Sequence, residues 1–437
     1  MRASAPANGG DIAFAVVTIL LICSVLPAFI GGQPVGRPSQ ADVASIQEGG
    51  DTVRQVAMLA LYGAHCAAIA WLVRPRALWF LGMPLMVFIA WAALSAAWSP
   101  LPDPTIRRVV ALAGTVAAGL FLGLRLGATD LARAFRAAAA IAVMGSVAHA
   151  IAFPSLAFDH DGYLRGLFAH KNLLGSFMAI AVLALVHRMG APQDRQGRFA
   201  DAALLLACCA CLILAHSATP VLGLVAALGF YVTFSLAGSG RSLPKVLAPA
   251  VICAGLAMVM TFGGPVTVAL AEVMGRDPSF SGRTNVWNFV LGAIEERPLA
   301  GYGYGIFWLG EGAPGAVFWF WSRQYELHAH NGFLQLLLDA GAVGMALFLW
   351  ALAVLARRLL SMSGSREEDR LVPWIAMGLG FFLACNLSES RILQGNDLLT
   401  LLFVWSVVRV NLAWWRRGVT IGALRRYRAV AAREAIP

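Results

Sequence analysis

The sequence predicts an all-α polytopic membrane protein with about 12 transmembrane helices, each needing about 20 mostly apolar residues. Three observations predict it. Hydrophobic residues make up 59% of the 437 positions. Charged residues make up 13%, where soluble globular chains carry about 25%. Mean hydropathy is +0.72, and the apolar residues fall in bilayer-length runs instead of being dispersed. Together these exclude an ordinary soluble enzyme, a disordered chain and a simple nucleic-acid binder.

The runs follow in order: Ile12–Ile30, Val56–Val73, Ala77–Leu94, Val109–Leu124, Ala137–Phe153 and Leu173–Val186, then Ala202–Ala215, Val221–Leu236, Val246–Phe262, Gly332–Ala356, Val372–Leu387 and Leu398–Trp414. The first is expected as a retained helix, since no small-residue cleavage pattern follows it. No fixed-period repeat and no Ser/Pro/Gly linker divides the chain, so residues 1–437 read as a single integral membrane domain. The seven cysteines all lie in apolar runs, without a CxxC pair, and read as small core residues.

Net charge is +10. In a membrane protein the positive-inside rule accounts for it, so no nucleic-acid partner is expected. Placing both termini and the even-numbered connections on one side gathers about two-thirds of the 33 basic residues there, including Arg188, Arg195, Arg198, Arg416 and Arg417. That side is expected to be the cytoplasm. The longest loop, 264–331 between the ninth and tenth helices, and the loop 154–172 then face the far side, which in a bacterium is the periplasm. A connection beyond about 15 residues is usually functional. Within it, Trp287, Val290, Leu291 and Ile294 fall at i, i+3, i+4, i+7 between Ser281 and Pro298, which predicts an amphipathic helix along the membrane surface.

The histidines concentrate on that far side: His160, His170, His328 and His330 lie in the two loops, and His216 lies near them. Lys171, one of two lysines with Lys245, is in the same short loop. In RGLFAHKNLLG (165–175), Arg165, His170 and Lys171 precede a spanning helix whose free N–H groups and positive dipole end favour an anion. An ordinary charged helix flank is the alternative, but it would put the cations on the cytoplasmic side.

The second segment is SGRTNVW (281–287). Arg283 stands at the start of the amphipathic helix, where a cation opposes the dipole and a phosphate ligand would explain it; pairing with Glu295 or Glu296 is the alternative. PLAGYGYGIFW (298–308), containing Tyr302, suggests a tight turn with backbone close to a neighbour. Phe318-Trp319-Phe320-Trp321 reads as an interfacial aromatic belt.

The third segment is His328-Ala329-His330-Asn331, ahead of Gly341 and Gly344. A helix N-terminus disfavours imidazolium, so His330 is expected as a neutral base. No carboxylate or thiol completes a metal set with His328 and His330 at ordinary sequence spacing, HExxH and GxSxG are missing, and Asp159-His160-Asp161 is weak as a D-x-D site.

These segments, in this order, resemble the O-antigen ligase and bacterial polysaccharide polymerase family. HAHNGFLQLLLDAGAVG (328–344) fits its pattern of His-Asn, nine residues, Gly-x-x-Gly, and WAALSAAWSPLP (91–102) looks like its early loop signature. The resemblance implies a GT-C-like bundle and metal-independent, inverting transfer of a saccharide from an undecaprenyl-diphosphate carrier to an acceptor hydroxyl at the periplasmic face of the bacterial inner membrane. It implies Arg165 and Arg283 as diphosphate ligands and His330 as the base, with His170, Lys171, His328, Asn331 and Tyr302 as secondary candidates. No cofactor or metal is implied. Implied partners are the lipid-linked oligosaccharide, an acceptor glycan or lipid A-core, the bilayer, and chain-length and export proteins. SGRTNVW with PLAGYGYGIFW looks most like exopolysaccharide polymerases; a ligase acting on lipid A-core is the alternative. A lipid-linked-sugar flippase is the alternative of another class, although the apolar runs hold few ionisable groups, mainly His65, His149 and Asp339.

Overall fold

A computed structural model describes residues 7–23, 25, 52–73, 75–191, 194–236, 281–322, 326–362 and 370–434. The expected helix over Val246–Phe262 and the first part of the long loop lie outside these residues. The described residues form α1 (Gly9–Ile22), α2 (Thr52–Leu72), α3 (Pro75–Leu94), α4 (Pro102–Arg125), α5 (Ala128–Ala152), α6 (Lys171–Met189), α7 (Arg195–Leu214), α8 (Ala218–Leu236), α9 (Ser281–Glu296), α10 (Ala316–Ser322), α11 (Gly332–Met362), α12 (Leu371–Cys385) and α13 (Leu398–Glu434). Short helical turns and one isolated bridge, Phe158 with Leu164, complete them.

Among the described residues eight helices are long and apolar enough to cross a membrane, and three shorter apolar helices, Gly9–Ile22, Leu81–Ala97 and Leu371–Cys385, join them. Of the other expected runs, Ile12–Ile30 falls on Gly9–Ile22 in its first part and lies outside the described residues from 26 onward, and the rest fall on these helices. The protein is therefore all-helical and polytopic.

Small residues set the closest packing, as expected where lipid supplies no hydrophobic drive between helices. Gly119 and Gly123 of α4 lie against Val404 and Val408 of α13, where an added Cβ would come within 2.6 Å of each valine Cβ. α8 and α12 interlock reciprocally: Gly223 faces Phe381, and Gly380 faces Phe230.

Two ends of the bundle differ chemically. At one, Arg125 pairs with Asp11 at 2.6 Å, and Arg136 and Arg188 both pair with the fully buried Asp201. A buried carboxylate alone would be strongly destabilising, so two guanidinium partners are its physical requirement. The other end carries the polar loops and the motif residues.

α11 is broken at Gly341, whose φ of 64° and ψ of −168° lie in a region open essentially to glycine. The long loop docks into the break. Tyr302 N–H donates to Leu338 O at 2.8 Å, and Ala342 N–H donates to Pro298 O at 2.8 Å, so the backbone groups freed by the break are satisfied by the PLAGY segment. A Cβ on Gly341 would sit 2.2 Å from Leu299 O. Gly341→Ala is expected to cost on the order of 3 kcal/mol, from backbone strain plus the clash, and to lower the unfolding temperature in a detergent melt. Gly378→Ala, which meets nothing within 4 Å, is the control and leaves the melt within a degree or so of wild type.

The loop after α9 has an apolar core of its own, separate from that of the bundle. Val286, Val290, Tyr302, Phe307, Trp308 and Phe318 are among its buried members. This corrects two expectations. Val286, Val290 and Ala293 form the buried stripe of α9, with Trp287 and Ile294 packed beside it, while Leu291 is exposed. The aromatic run does not act as one belt either: Phe318 and Trp319 fill the loop core, and Phe320 and Trp321 remain 66% and 71% exposed.

Candidate functional site

The motif residues are assembled by a segment the motifs do not include. Residues 386–397 connect α12 to α13, and both the first and third motifs dock on them. Asn172, one residue into the α6 helix, donates from Nδ2 to Glu389 Oε1 at 2.9 Å, and its Oδ1 accepts from Ser217. Asn331 N–H donates to Ser390 Oγ at 3.2 Å, and Gly332 N–H donates to Asn386 O at 2.8 Å. Tyr304 of the second motif donates to Leu393 O at 2.5 Å. The segment is itself braced by Arg391, which pairs with Asp397 at 2.6 Å. Burial works against the guanidinium charge there, but the Asp397 carboxylate overcomes it and holds the Arg391 pKa above the ordinary arginine value. Asp397 also accepts from Thr400 N–H and so caps α13.

His328, His330 and Asn331 lie together at the start of α11. Asn331 Oδ1 accepts from the N–H groups of Phe333 and Leu334, which makes it the helix N-cap. His330 has a left-handed φ of 50°. Its backbone N–H donates to His328 Nδ1, and the two rings meet edge to face with centroids 4.2 Å apart. His330 Nε2 lies 3.0 Å from Glu326 Oε2, and its Nδ1 is buried without a hydrogen-bond partner among the described residues. The loop core holds this turn in place: Trp287 Nε1 donates to Ala329 O, and Gln335 Oε1 accepts from both Ala329 N–H and Trp308 Nε1.

The first-motif loop sits beside this cluster. Arg165 is buried, and its Nε and Nη1 donate to the carbonyls of Leu156 and Ala169 at 2.7 and 3.3 Å. Burial pulls its pKa below the ordinary arginine value, against the attraction of Asp159. His170 caps α6, its Nδ1 accepting from Asn172 N–H. Lys171 lies 3.0 Å from Asp159 and 3.6 Å from Asp161, with its ammonium over the Tyr163 ring. A lysine between the two carboxylates opposes a cation at that D-x-D. Tyr302 belongs to the loop core, where its hydroxyl donates to Glu296 Oε2 at 2.8 Å. Burial first, and Glu296 next, push its pKa up to about 12. Arg283 falls in the first turn of α9, but its side chain lies outside the described residues.

A cavity of about 210 Å³ opens beside the histidines, walled by His328, Gln335, Ser390, Gln394, Trp308 and Arg108. Arg165 and Tyr302 are not among its lining residues. Asp339, fully buried, accepts from Gln335 and Gln394 at 2.9 and 3.4 Å beneath it. His328, the Arg108 guanidinium and the amides of Gln335 and Gln394 surround a space of sugar size, and the His330–Glu326 pair lies next to His328 but outside the lining.

Glu326, Glu389, Gln394 and Arg108 were not distinguished by sequence reasoning. Glu326 stood within reach of it, being four residues before His330. Glu389 comes from the connecting segment and changes the metal question. One ligand atom each from His328, His330 and Glu389 lie within 4.8 Å of one another, a donor set that could hold a divalent cation. Sequence spacing could not reveal it, because the carboxylate is remote in the chain.

Comparisons with known proteins give the same direction. Residues 202–349 match the O-antigen ligase family, a range that includes Arg283 and His330 but not Arg165. A protein of Rhizobium meliloti (strain 1021) named exopolysaccharide production protein ExoQ is 27% identical over 302 residues, which is 65% of this chain and 66% of that protein. A protein of Rickettsia prowazekii (strain Madrid E), provisionally named a polysaccharide ligase, is 34% identical over 81 residues, 18% of this chain and 20% of the other. The chain thus spans less than two-thirds of the length of each of these relatives.

Proposed function

Taking as premise that this membrane protein is related to the O-antigen ligase family through residues 202–349, we propose that it is a polysaccharide polymerase. It transfers an oligosaccharide from a polyprenyl-diphosphate carrier to the hydroxyl of an acceptor glycan. The observation that carries this reading is the docking of Asn172 and of His328–Asn331 on segment 386–397, beside a cavity that His328, Ser390, Gln394 and Arg108 line. The exopolysaccharide production protein among the relatives favours a polymerase over a ligase that would use lipid A-core.

In the proposed reaction the acceptor oxygen attacks the anomeric carbon, and the bond from that carbon to the diphosphate oxygen breaks. The electron pair leaves with the polyprenyl diphosphate, and the anomeric centre inverts. His330 takes the hydroxyl proton. With Nε2–H donating to Glu326, the lone pair sits on Nδ1, and the carboxylate steadies the imidazolium as it forms. Cationic groups stabilise the leaving diphosphate; Arg165 and Arg283 are proposed to act there, with His170 and Lys171 in support. The site faces the periplasm, the termini face the cytoplasm, and the membrane is the bacterial inner membrane. Chain-length and export proteins are the proposed partners.

Deleting the gene should remove a surface polysaccharide, and a plasmid copy should restore it. A copy carrying Arg283→Ala should reach the membrane at normal level and restore nothing. Full restoration by that variant would refute the diphosphate role. Transfer by the purified chain should be unchanged in excess EDTA. A loss of rate there would give His328, His330 and Glu389 a catalytic cation instead.

A further inference from the structure

His328 and His330 stand two residues apart ahead of α11, and Glu389 comes from segment 386–397. A nitrogen from each ring and an oxygen of the carboxylate lie within 4.8 Å of one another. Ligands bonded to zinc at about 2.0–2.2 Å in a tetrahedron sit roughly 3.5 Å apart, so side-chain shifts of about 1 Å close the set. The left-handed turn at His330 is what turns both rings to one side, with centroids 4.2 Å apart. All three residues are partly buried, and His328 lines the smaller cavity, so an ion reaches them without the fold opening.

Observations other than proximity point to a ligand. His330 Nδ1 is buried with no hydrogen-bond partner among the described residues, while its Nε2 lies 3.0 Å from Glu326 Oε2. A buried nitrogen left unpaired is costly. A metal-bound histidine characteristically gives its other N–H to a carboxylate, which fixes the tautomer and makes the facing nitrogen more basic. His330 and Glu326 have that form. Glu389 is oriented in the same way, by Asn172 Nδ2 at 2.9 Å from its Oε1. Arg391 attracts the Glu389 carboxylate but is bound to Asp397. Two neutral imidazoles with the carboxylates of Glu326 and Glu389 then match a divalent cation in charge. Two nitrogens and one oxygen form a set that zinc takes with a further position left for water, whereas magnesium and calcium favour oxygen alone.

Resting on the reading of His330 as the base, we infer that His328, His330 and Glu389 form an inhibitory site for zinc. The metal occupies the Nδ1 lone pair that otherwise takes the acceptor proton. With Nε2–H kept on Glu326, the ring has no second lone pair to offer. Transfer therefore stops while zinc is bound and resumes when it leaves. Zinc also ties the start of α11 to segment 386–397, so it stabilises the folded chain by mass action.

The test adds zinc chloride to the purified full-length chain in detergent, after EDTA treatment, dialysis and removal of any histidine tag. Equilibrium dialysis should find one tightly held zinc per chain, and the unfolding temperature should rise with zinc. Glycan transfer should fall to background as the site fills and return when EDTA is added. Magnesium chloride should do none of this. His328→Ala and Glu389→Gln should each weaken zinc binding by about tenfold or more, the second keeping an acceptor for Asn172. The zinc concentration that halves each variant's own rate should rise by the same factor. Cobalt(II) in wild type should give the visible absorption of a low-coordinate nitrogen–oxygen site, a reading independent of any variant. No stoichiometric zinc, equal affinity in both variants, or undiminished or faster transfer with zinc bound would overturn the inference. If transfer proceeds and zinc does not bind, the proposed function stands and this site falls. If zinc binds as expected but the metal-free chain never forms a linkage, the transferase reading falls, and with it the inhibitory role.

Discussion

His330→Ala lowers the rate of glycan transfer by about 10²–10⁴-fold, the range a positioned general base contributes. Binding of the lipid-linked donor should change little, because the imidazole acts on the acceptor proton, so the loss should appear in kcat. Glu326→Gln should have a smaller effect in the same direction: the amide keeps a hydrogen bond at the 3.0 Å contact but cannot steady an imidazolium. A steady-state assay with purified variants separates these outcomes. Retention of the wild-type rate in His330→Ala would move the base to His328, whose Nδ1 already accepts the His330 N–H, or to the substrate itself.

The second large effect concerns the segment that joins the motifs. Arg391→Ala should destabilise the protein by roughly 3–5 kcal/mol, because it leaves the Asp397 carboxylate buried without its partner. The two side chains are 12% and 10% exposed, so solvent screens the pair little. Replacing both, as Arg391→Met with Asp397→Leu, should recover much of the stability, since the desolvation cost of the pair vanishes with it. Activity should not recover alongside it. Asp397 caps α13, and residues 386–390 must keep their register for Glu389 and Ser390 to meet Asn172 and Asn331. Thermal melts read the first effect and transfer assays the second. Equal stability of wild type and Arg391→Ala would show that the ion pair does not hold this segment.

Bilayer-length apolar runs made the helices legible in the sequence, because a spanning helix announces itself in composition alone. The grouping of polar loops at one end was legible too, since charge bias gives orientation. Contacts between distant residues were not. Asn172 and Glu389 are separated by 217 positions, and neither periodicity nor local spacing carries that information. The 386–397 segment has the length of an ordinary connection and its Glu, Arg and Asp fit no motif, so nothing in the sequence marks it as the place where Asn172, Tyr304 and Asn331 dock. Gly341 was visible as part of a pattern, but its physical reason is a broken helix whose backbone pairs with Pro298 and Leu338 partners from another loop. The aromatic run at 318–321 misled because half of it serves a core that only the folded loop possesses.

One measurement bears on the central claim most directly: the amount of free polyprenyl diphosphate released per new glycosidic linkage when the purified chain acts on lipid-linked oligosaccharide. The account predicts one carrier released for each linkage formed, with both products missing in His330→Ala. Movement of the substrate across the bilayer with no carrier released and no linkage formed would contradict it.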